Sequence, residues 1–329
     1  MKNKGDTMKM SRFQFVNILR SDFSFKVKMQ LLWRRSRQGF ANMPVYFLLI
    51  AMSFVFLLPF FYMICRSFMT QQDIANQTLV KWLPRSFSDF SNYDLAIMSL
   101  KYWENLWTSV WTTALAVSGQ LLTCTFVAYG LARMKFKGSG FIFALVIFTL
   151  IIPPQVTIGP TFVMFSRNSP FGTFFDWRDT FFPIIVPCFF AMGLSGGLFV
   201  FIYRQYFRSM PSELENAALI DGCGVFGSYF RIILPNAKSP MLVCLILSIV
   251  WQWNNSFEPG IFIINKNEFG NLPMQLELMA NNAGSAMQQR ITGATDMAAT
   301  FLVILPIIIV FFLLQNQFMK GIERVGLAN

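Results

Sequence analysis

Six stretches of the chain stay apolar for about the length a helix needs to cross a hydrocarbon core, roughly 20 residues, and polar segments separate them. They cover 45–65, 106–132, 140–165 and 181–203, a run that begins near Met241 and reaches Trp251-Gln252-Trp253-Asn254-Asn255, and 297–318. The pattern predicts an all-α membrane protein with six transmembrane helices. Prolines mark some of these spans as irregular, because proline removes a backbone donor and clashes with the preceding turn. Ile152-Pro153-Pro154 and Pro160 predict a kinked or broken third span, Pro183, Pro187 and Gly193 lie in the fourth, and Pro306 lies in the sixth. Glu258-Pro259-Gly260 interrupts the fifth, whose helix either ends there or lines a polar cavity.

Between the spans, 66–105 carries Trp82, Tyr93, Tyr102 and Trp103, aromatics of the kind that anchor a chain at the membrane interface. Residues 265–296 read as a polar external loop, and 204–240 as a second long polar segment with helical periods of its own. Within it, Ser212 followed by Glu215 predicts a capping box at a helix start, and Gly222 suits the left-handed position beyond the helix end. Leu214, Ala217, Ala218 and Asp221 then share one face, made largely of small side chains that let a partner approach closely. A second helix is predicted after Gly222, with Phe226, Tyr229, Phe230 and Ile233 as a stripe packed on the spans and Pro235 as its end.

Composition supports the membrane reading: 54% of the 329 residues are hydrophobic, 13% are charged and 39 are Phe, which excludes an ordinary soluble domain. The chain contains no histidine, and its five cysteines show no Cys-x-x-Cys spacing, so neither a metal site nor a disulfide framework is indicated. Net charge is +11, and its distribution explains it better than nucleic-acid binding does. With six spans, the side holding both termini, the 133–139 turn and the 204–240 loop collects nineteen of the 27 Lys and Arg. The positive-inside rule places that side in the cytoplasm. Residues 1–43 form a basic cytoplasmic extension ending in Arg34-Arg35-Ser36-Arg37; its first apolar run starts too late for a cleavable signal. Phe13, Phe15, Val16, Ile18 and Leu19 there are compatible with an interfacial helix or with a simple basic tail.

The spacing Pro211-x-Glu213-Leu214-x-x-Ala217-Ala218-x-Ile220-Asp221-Gly222, with Ile233-Leu234-Pro235 downstream, resembles the cytoplasmic loop of the permease subunits of binding-protein-dependent ABC importers, and most of all the maltose-type carbohydrate permeases. Ala128-Tyr129-Gly130-Leu131-Ala132-Arg133, Trp251-Gln252-Trp253-Asn254 and the ending Gln317-Phe318-Met319-Lys320-Gly321-Ile322 are similar to the same family. Two positions depart from its pattern. Asn216 stands where a glutamate usually precedes the alanine pair, and Asn255 where an aspartate is common. Glu215 is adjacent to Asn216 but points roughly 100° away on a helix, leaving it as cap partner or as a contact residue.

The resemblance implies a permease domain over 44–325 with a coupling loop at 206–240, flanked by the 1–43 extension and a 326–329 tail. It further implies a non-enzymatic subunit of a bacterial cytoplasmic-membrane importer that passes a carbohydrate, an oligosaccharide in the favoured case. Its partners would be a second, related permease, two ATP-binding cassette ATPase subunits that bind the ATP, and an extracytoplasmic solute-binding protein. Glu213, Leu214, Glu215, Asn216, Ala217, Ala218, Asp221 and Gly222 would form the ATPase-coupling site; Trp251, Trp253, Asn254, Asn255 and Glu258 are the candidate substrate path. An ATPase-independent secondary carrier is the alternative, although no inverted repeat and few mid-membrane acids support it. Leu194-Ser195-Gly196-Gly197 matches an ATPase signature only by chance, since no Gly-x-x-x-x-Gly-Lys phosphate loop accompanies it. The glycines read instead as sites of close helix approach.

Overall fold

A computed structural model describes residues 25–75, 82–166, 177–265, 270–281 and 286–326, and the side chains of 43–74, 82–166, 177–265, 270–281 and 293–317. The hydrophobic positions proposed for an interfacial helix near the N-terminus lie outside the described residues. The chain divides into two units, 1–62 and 63–329. The first contributes most of α1 (Phe25–Ser67), whose apolar side chains beyond Met43 are largely exposed, as a helix solvated by lipid would leave them.

The second unit is built around α4 (Tyr102–Arg133), preceded by α2 (Gln71–Ala75) and α3 (Ser91–Ser99). After it come α5 (Ser139–Thr149), α6 (Pro154–Phe165), α7 (Phe182–Cys188), α8 (Gly196–Ser209) and α9 (Glu213–Ile220). The rest is α10 (Val225–Asn236), α11 (Lys238–Trp253), α12 (Phe257–Phe262), α13 (Leu272–Asn281) and α14 (Ala286–Gly326). One buried cluster joins α4, α8, α10 and α11 through Cys124, Ala128, Tyr129, Phe199, Tyr203, Phe207, Tyr229, Ile233 and Cys244. A second joins α3, α4, α11, α13 and α14 around Leu100, Tyr102, Trp253, Leu272 and Ala298.

Three described helices are long and apolar enough to cross a membrane as they stand: Met43–Ser67, Tyr102–Arg133 and Gly293–Gln317. Two bent pairs bring the number to five. Between α5 and α6 the axis turns by 100° at Ile152-Pro153-Pro154, because a residue before proline is driven out of the helical region. The expected fourth span is not one helix: it breaks over 189–195, where Ala191 and Ser195 both adopt left-handed backbone. Groups on α4 satisfy that broken backbone. Thr123 Oγ1 donates to the Cys188 carbonyl at 2.9 Å and Gln120 Nε2 to the Leu194 carbonyl at 2.6 Å, the condition under which irregular chain persists at membrane depth. Beyond the break, Gly197 does allow close approach, since a Cβ there would lie 2.6 Å from Thr149 Oγ1 and 2.9 Å from the Val146 carbonyl.

Pro235 ends its helix to within a residue, Asn236 being the last helical position. The turn before it widens into a π-helix over Tyr229–Ile233, which relieves the clash between the proline ring and the preceding turn, and the 76° bend falls two residues later at Ala237. The expected stripe also divides: Tyr229 and Ile233 are buried, whereas Phe226 and Phe230 are exposed.

Candidate functional site

Helix α9 has the end the sequence foretold and a different beginning. Gly222 sits at φ +82°, and the Cys223 N–H bonds the Ala218 carbonyl at 2.9 Å while the Gly222 N–H bonds that of Leu219 at 3.1 Å, the paired bonds of a Schellman ending. At the start, the capping box does not form: Ser212 has helical backbone and makes no side-chain cap bond. Glu215 is drawn elsewhere. Its Oε1 accepts a 2.7 Å hydrogen bond from Tyr129 Oη, and its Oε2 lies 3.7 Å from Arg133 Nε, in a pair whose side chains are only 18% and 11% exposed. A phenol donor and the charge of a nearby guanidinium outcompete a single backbone N–H for one carboxylate.

Arg133 also donates from Nη2 to the Met210 carbonyl at 2.7 Å, and Tyr129 Oη lies 3.5 Å from the Val225 carbonyl. The end of α4 therefore touches the chain before α9, within it and after it. Further along the same face, Tyr229 Oη donates to Thr125 Oγ1 at 2.9 Å and Phe226 stacks on Phe126 with centroids 6.0 Å apart. Arg204 extends the junction by donating to the Leu131 carbonyl at 3.2 Å, its guanidinium 3.7 Å above the Phe143 ring.

These ties orient α9. Ala218 is turned inward and buried, which corrects the expectation that both alanines face a partner. Glu213, Leu214, Asn216, Ala217, Leu219, Ile220 and Asp221 are exposed, Ile220 at 86%. A short helix thus presents an acidic and apolar face while its opposite face is fixed to α4.

The proposed substrate-path residues do not form one surface. Trp253 is buried, its Nε1 donating to the Val303 carbonyl at 3.1 Å, and Trp251 stacks on Phe199 at 5.6 Å. Asn254 is exposed and bonds back to the Val250 carbonyl at 2.7 Å. Asn255 and Glu258 do meet: Asn255 Nδ2 donates to Glu258 Oε2 at 2.7 Å and Asn255 Oδ1 accepts from the Glu258 N–H at 3.3 Å, capping α12 where the fifth span breaks. Asn255 lines a narrow cleft with Thr112, Thr113, Gln252 and Asn271 against Phe181, Ile184 and Ile185. The threonines escaped notice in the sequence, yet Ser109, Thr112, Thr113 and Gln120 form a polar stripe at helical spacing in an otherwise apolar span. Among the described residues no cluster of His, Cys, Asp and Glu could hold a metal ion.

Residues 121–324 match the family of binding-protein-dependent transport system inner membrane components. The chain is 30% identical to the arabinooligosaccharides transport system permease protein AraQ of Halalkalibacterium halodurans, over 68% of this chain and 74% of that protein. It is 29% identical to the probable starch degradation products transport system permease protein AmyC of Thermoanaerobacterium thermosulfurigenes, over 84% and 93%. A chain from the crystal structure of a bacterial ABC transporter involved in the import of the acidic polysaccharide alginate shares the fold. The two superpose with a TM-score of 0.67 at 20% identity, over 86% of this chain and 98% of that one.

Proposed function

We infer, from the premise that this chain belongs to the family of binding-protein-dependent transport system inner membrane components, that it is a permease subunit passing a carbohydrate through a membrane. It is a multi-pass membrane protein and not an enzyme; ATPase and solute-binding partners go with the family. An oligosaccharide solute is supported by the names of the two relatives, which carry arabinooligosaccharides and starch degradation products. The finer reading comprises six spans with the broken 181–203 segment as the fourth, both termini cytoplasmic, and a heterodimer with a second permease. Two ATPase subunits would bind the ATP, and this chain none. The cleft beside Asn255 belongs to the solute path in this reading, with Thr112, Thr113, Gln252 and Asn271 offering hydroxyl-matching donors and acceptors.

One observation carries the coupling role: α9 is anchored on one side by Glu215 and exposes Glu213, Leu214, Ala217, Ile220 and Asp221 on the other. Exposed apolar side chains on a short, rigidly held helix fit a protein groove. Asp221 and Glu213 meet basic or backbone donors there, and closure of the ATPase pair on ATP moves the helix and rocks the bent spans. The test is a mild-detergent pull-down of the tagged chain from its native membrane. A second multi-span permease and a Walker-motif ATPase are expected to come with it. Ile220→Asp and Ala217→Arg should lower ATPase recovery at least about tenfold, the effect of losing a central apolar anchor, while the second permease stays bound. A chain recovered alone from a preparation that still transports would overturn the reading in favour of a self-sufficient carrier.

A further inference from the structure

We propose that Tyr129 and Arg133 are positioning residues that make α4 the carrier of the coupling segment, so that α9 moves as one body with the second span. The inference rests on the coupling role assigned to α9 above. Thr125, Phe126, Tyr129 and Arg133 recur at helical spacing and so share one face of α4. Every one of them touches the segment from Met210 to Tyr229: Arg133 holds the Met210 carbonyl and Glu215, Tyr129 holds Glu215 and approaches the Val225 carbonyl, Phe126 stacks on Phe226, and Thr125 accepts from Tyr229. The contacts bracket α9 on both flanks and pin it in its first turns.

The covalent route onward is less direct. From α9 the chain reaches α11 through a π-helical turn and the 76° bend at Ala237, where a single non-helical residue joins two helices. A push on α9 therefore reaches α4 through charged and hydroxyl bonds between largely buried side chains, and reaches α11 only across a bend. Glu215 provides the central link. It is the acidic side chain of α9 turned toward the chain, whereas Glu213 and Asp221 are exposed. Its carboxylate accepts from Tyr129 and sits beside the Arg133 guanidinium, a grip on a helix that has no side-chain cap of its own.

The experiment uses the assembled complex, with spin labels at two exposed positions, Leu122→Cys on α4 and Ser212→Cys at the start of α9, in a background whose native cysteines are replaced. Their separation is measured by pulsed electron paramagnetic resonance without nucleotide and with ATP plus vanadate. The distance is expected to change by less than about 2 Å between the two conditions, the scale of small shifts within a packed interface. In Glu215→Gln and Arg133→Met complexes it should become nucleotide-dependent and broader, while Arg133→Lys, which keeps the charge, should lie nearer the parent. A mutation that merely loosened the fold would broaden the distribution equally with and without nucleotide. If the parent distance itself changes by several ångströms with nucleotide, or if the Gln and Met variants match the parent in both conditions, the clasp is refuted while the coupling reading stands. A complex that recruits no ATPase refutes both.

Discussion

Position 222 shows how a single backbone angle fixes the end of α9. At φ +82° an L side chain meets its own carbonyl, and a Cβ there would have nothing else within 4 Å, so the penalty of a substitution is conformational alone. Gly222→Ala should cost about 1–2 kcal/mol, the left-handed penalty for an ordinary residue. Gly222→Asn should cost less, because asparagine tolerates that region. Thermal unfolding midpoints in detergent would rank the parent, Asn and Ala in that order; an alanine variant as stable as the parent would mean the Schellman ending is not needed. This residue was legible in the sequence because its signal is local: glycine after a short amphipathic run. Glu215 was only half legible. Spacing from Ser212 offered it a cap, but its partner Tyr129 lies 86 residues away in sequence, and no local pattern announces a pairing of that separation. The motif containing Tyr129 and Arg133 was visible as a family likeness; that both sit one turn apart and face Glu215 on α9 required the fold.

Among the elements, α4 organises the chain because its polar side chains close gaps that other spans leave open. Gln120 is fully buried, donating to the Leu194 carbonyl at 2.6 Å and accepting from Ser248 Oγ at 2.9 Å, so one side chain ties α4 to the broken fourth span and to α11. Replacing it with leucine leaves a carbonyl and a hydroxyl unpaired, at about 1–3 kcal/mol for each buried group. Gln120→Leu should therefore lower the unfolding midpoint by several degrees. Adding Ser248→Ala should recover part of the loss, because the orphaned hydroxyl goes with it, and a double-mutant cycle isolates that share. Equal additive losses would show that the two residues do not communicate. Proline and glycine told where the third, fourth and fifth spans depart from straight helices, but not how the departures are stabilised. The third span turns by 100° where a kink or a break was expected, the fourth opens into left-handed residues, and Pro235 stops its helix within a residue while the turn before it widens into a π-helix. In the fourth the outcome depends on what neighbouring α4 residues offer the freed backbone, Thr123 at the Cys188 carbonyl and Gln120 at that of Leu194.

For the whole molecule, hydrophobic runs located the long apolar helices because a span must be apolar throughout, whereas the polar cleft was obscured because polar residues inside such helices are few and spaced by helical turns. Trp251 and Trp253 drew attention by their chemistry and turned out to be engaged with their own chain, while the quieter Thr112 and Thr113 line the cleft. Charge supplies the remaining large-scale feature. Nineteen of 27 Lys and Arg fall in the terminal segments, the 133–139 turn and the 204–240 loop, and inserting one at mid-membrane costs roughly 2.5–3.5 kcal/mol, so under the proposed layout an inverted chain would have to translocate that basic set. Orientation is then testable without any partner. In a background free of native cysteines, Leu219→Cys and Phe136→Cys should resist a membrane-impermeant maleimide added to intact cells and react once the membrane is opened. Leu83→Cys and Ile264→Cys should react from outside, all four positions being exposed in the fold. The decisive position is 219. It lies on the outward face of α9, so labelling it from outside would put the coupling helix on the wrong side of the membrane for any cytoplasmic ATPase. That result would overturn the orientation and the coupling role together, whereas protection at 219 with labelling at 83 and 264 fixes an even number of crossings between each external position and the other, and an odd number between them and α9.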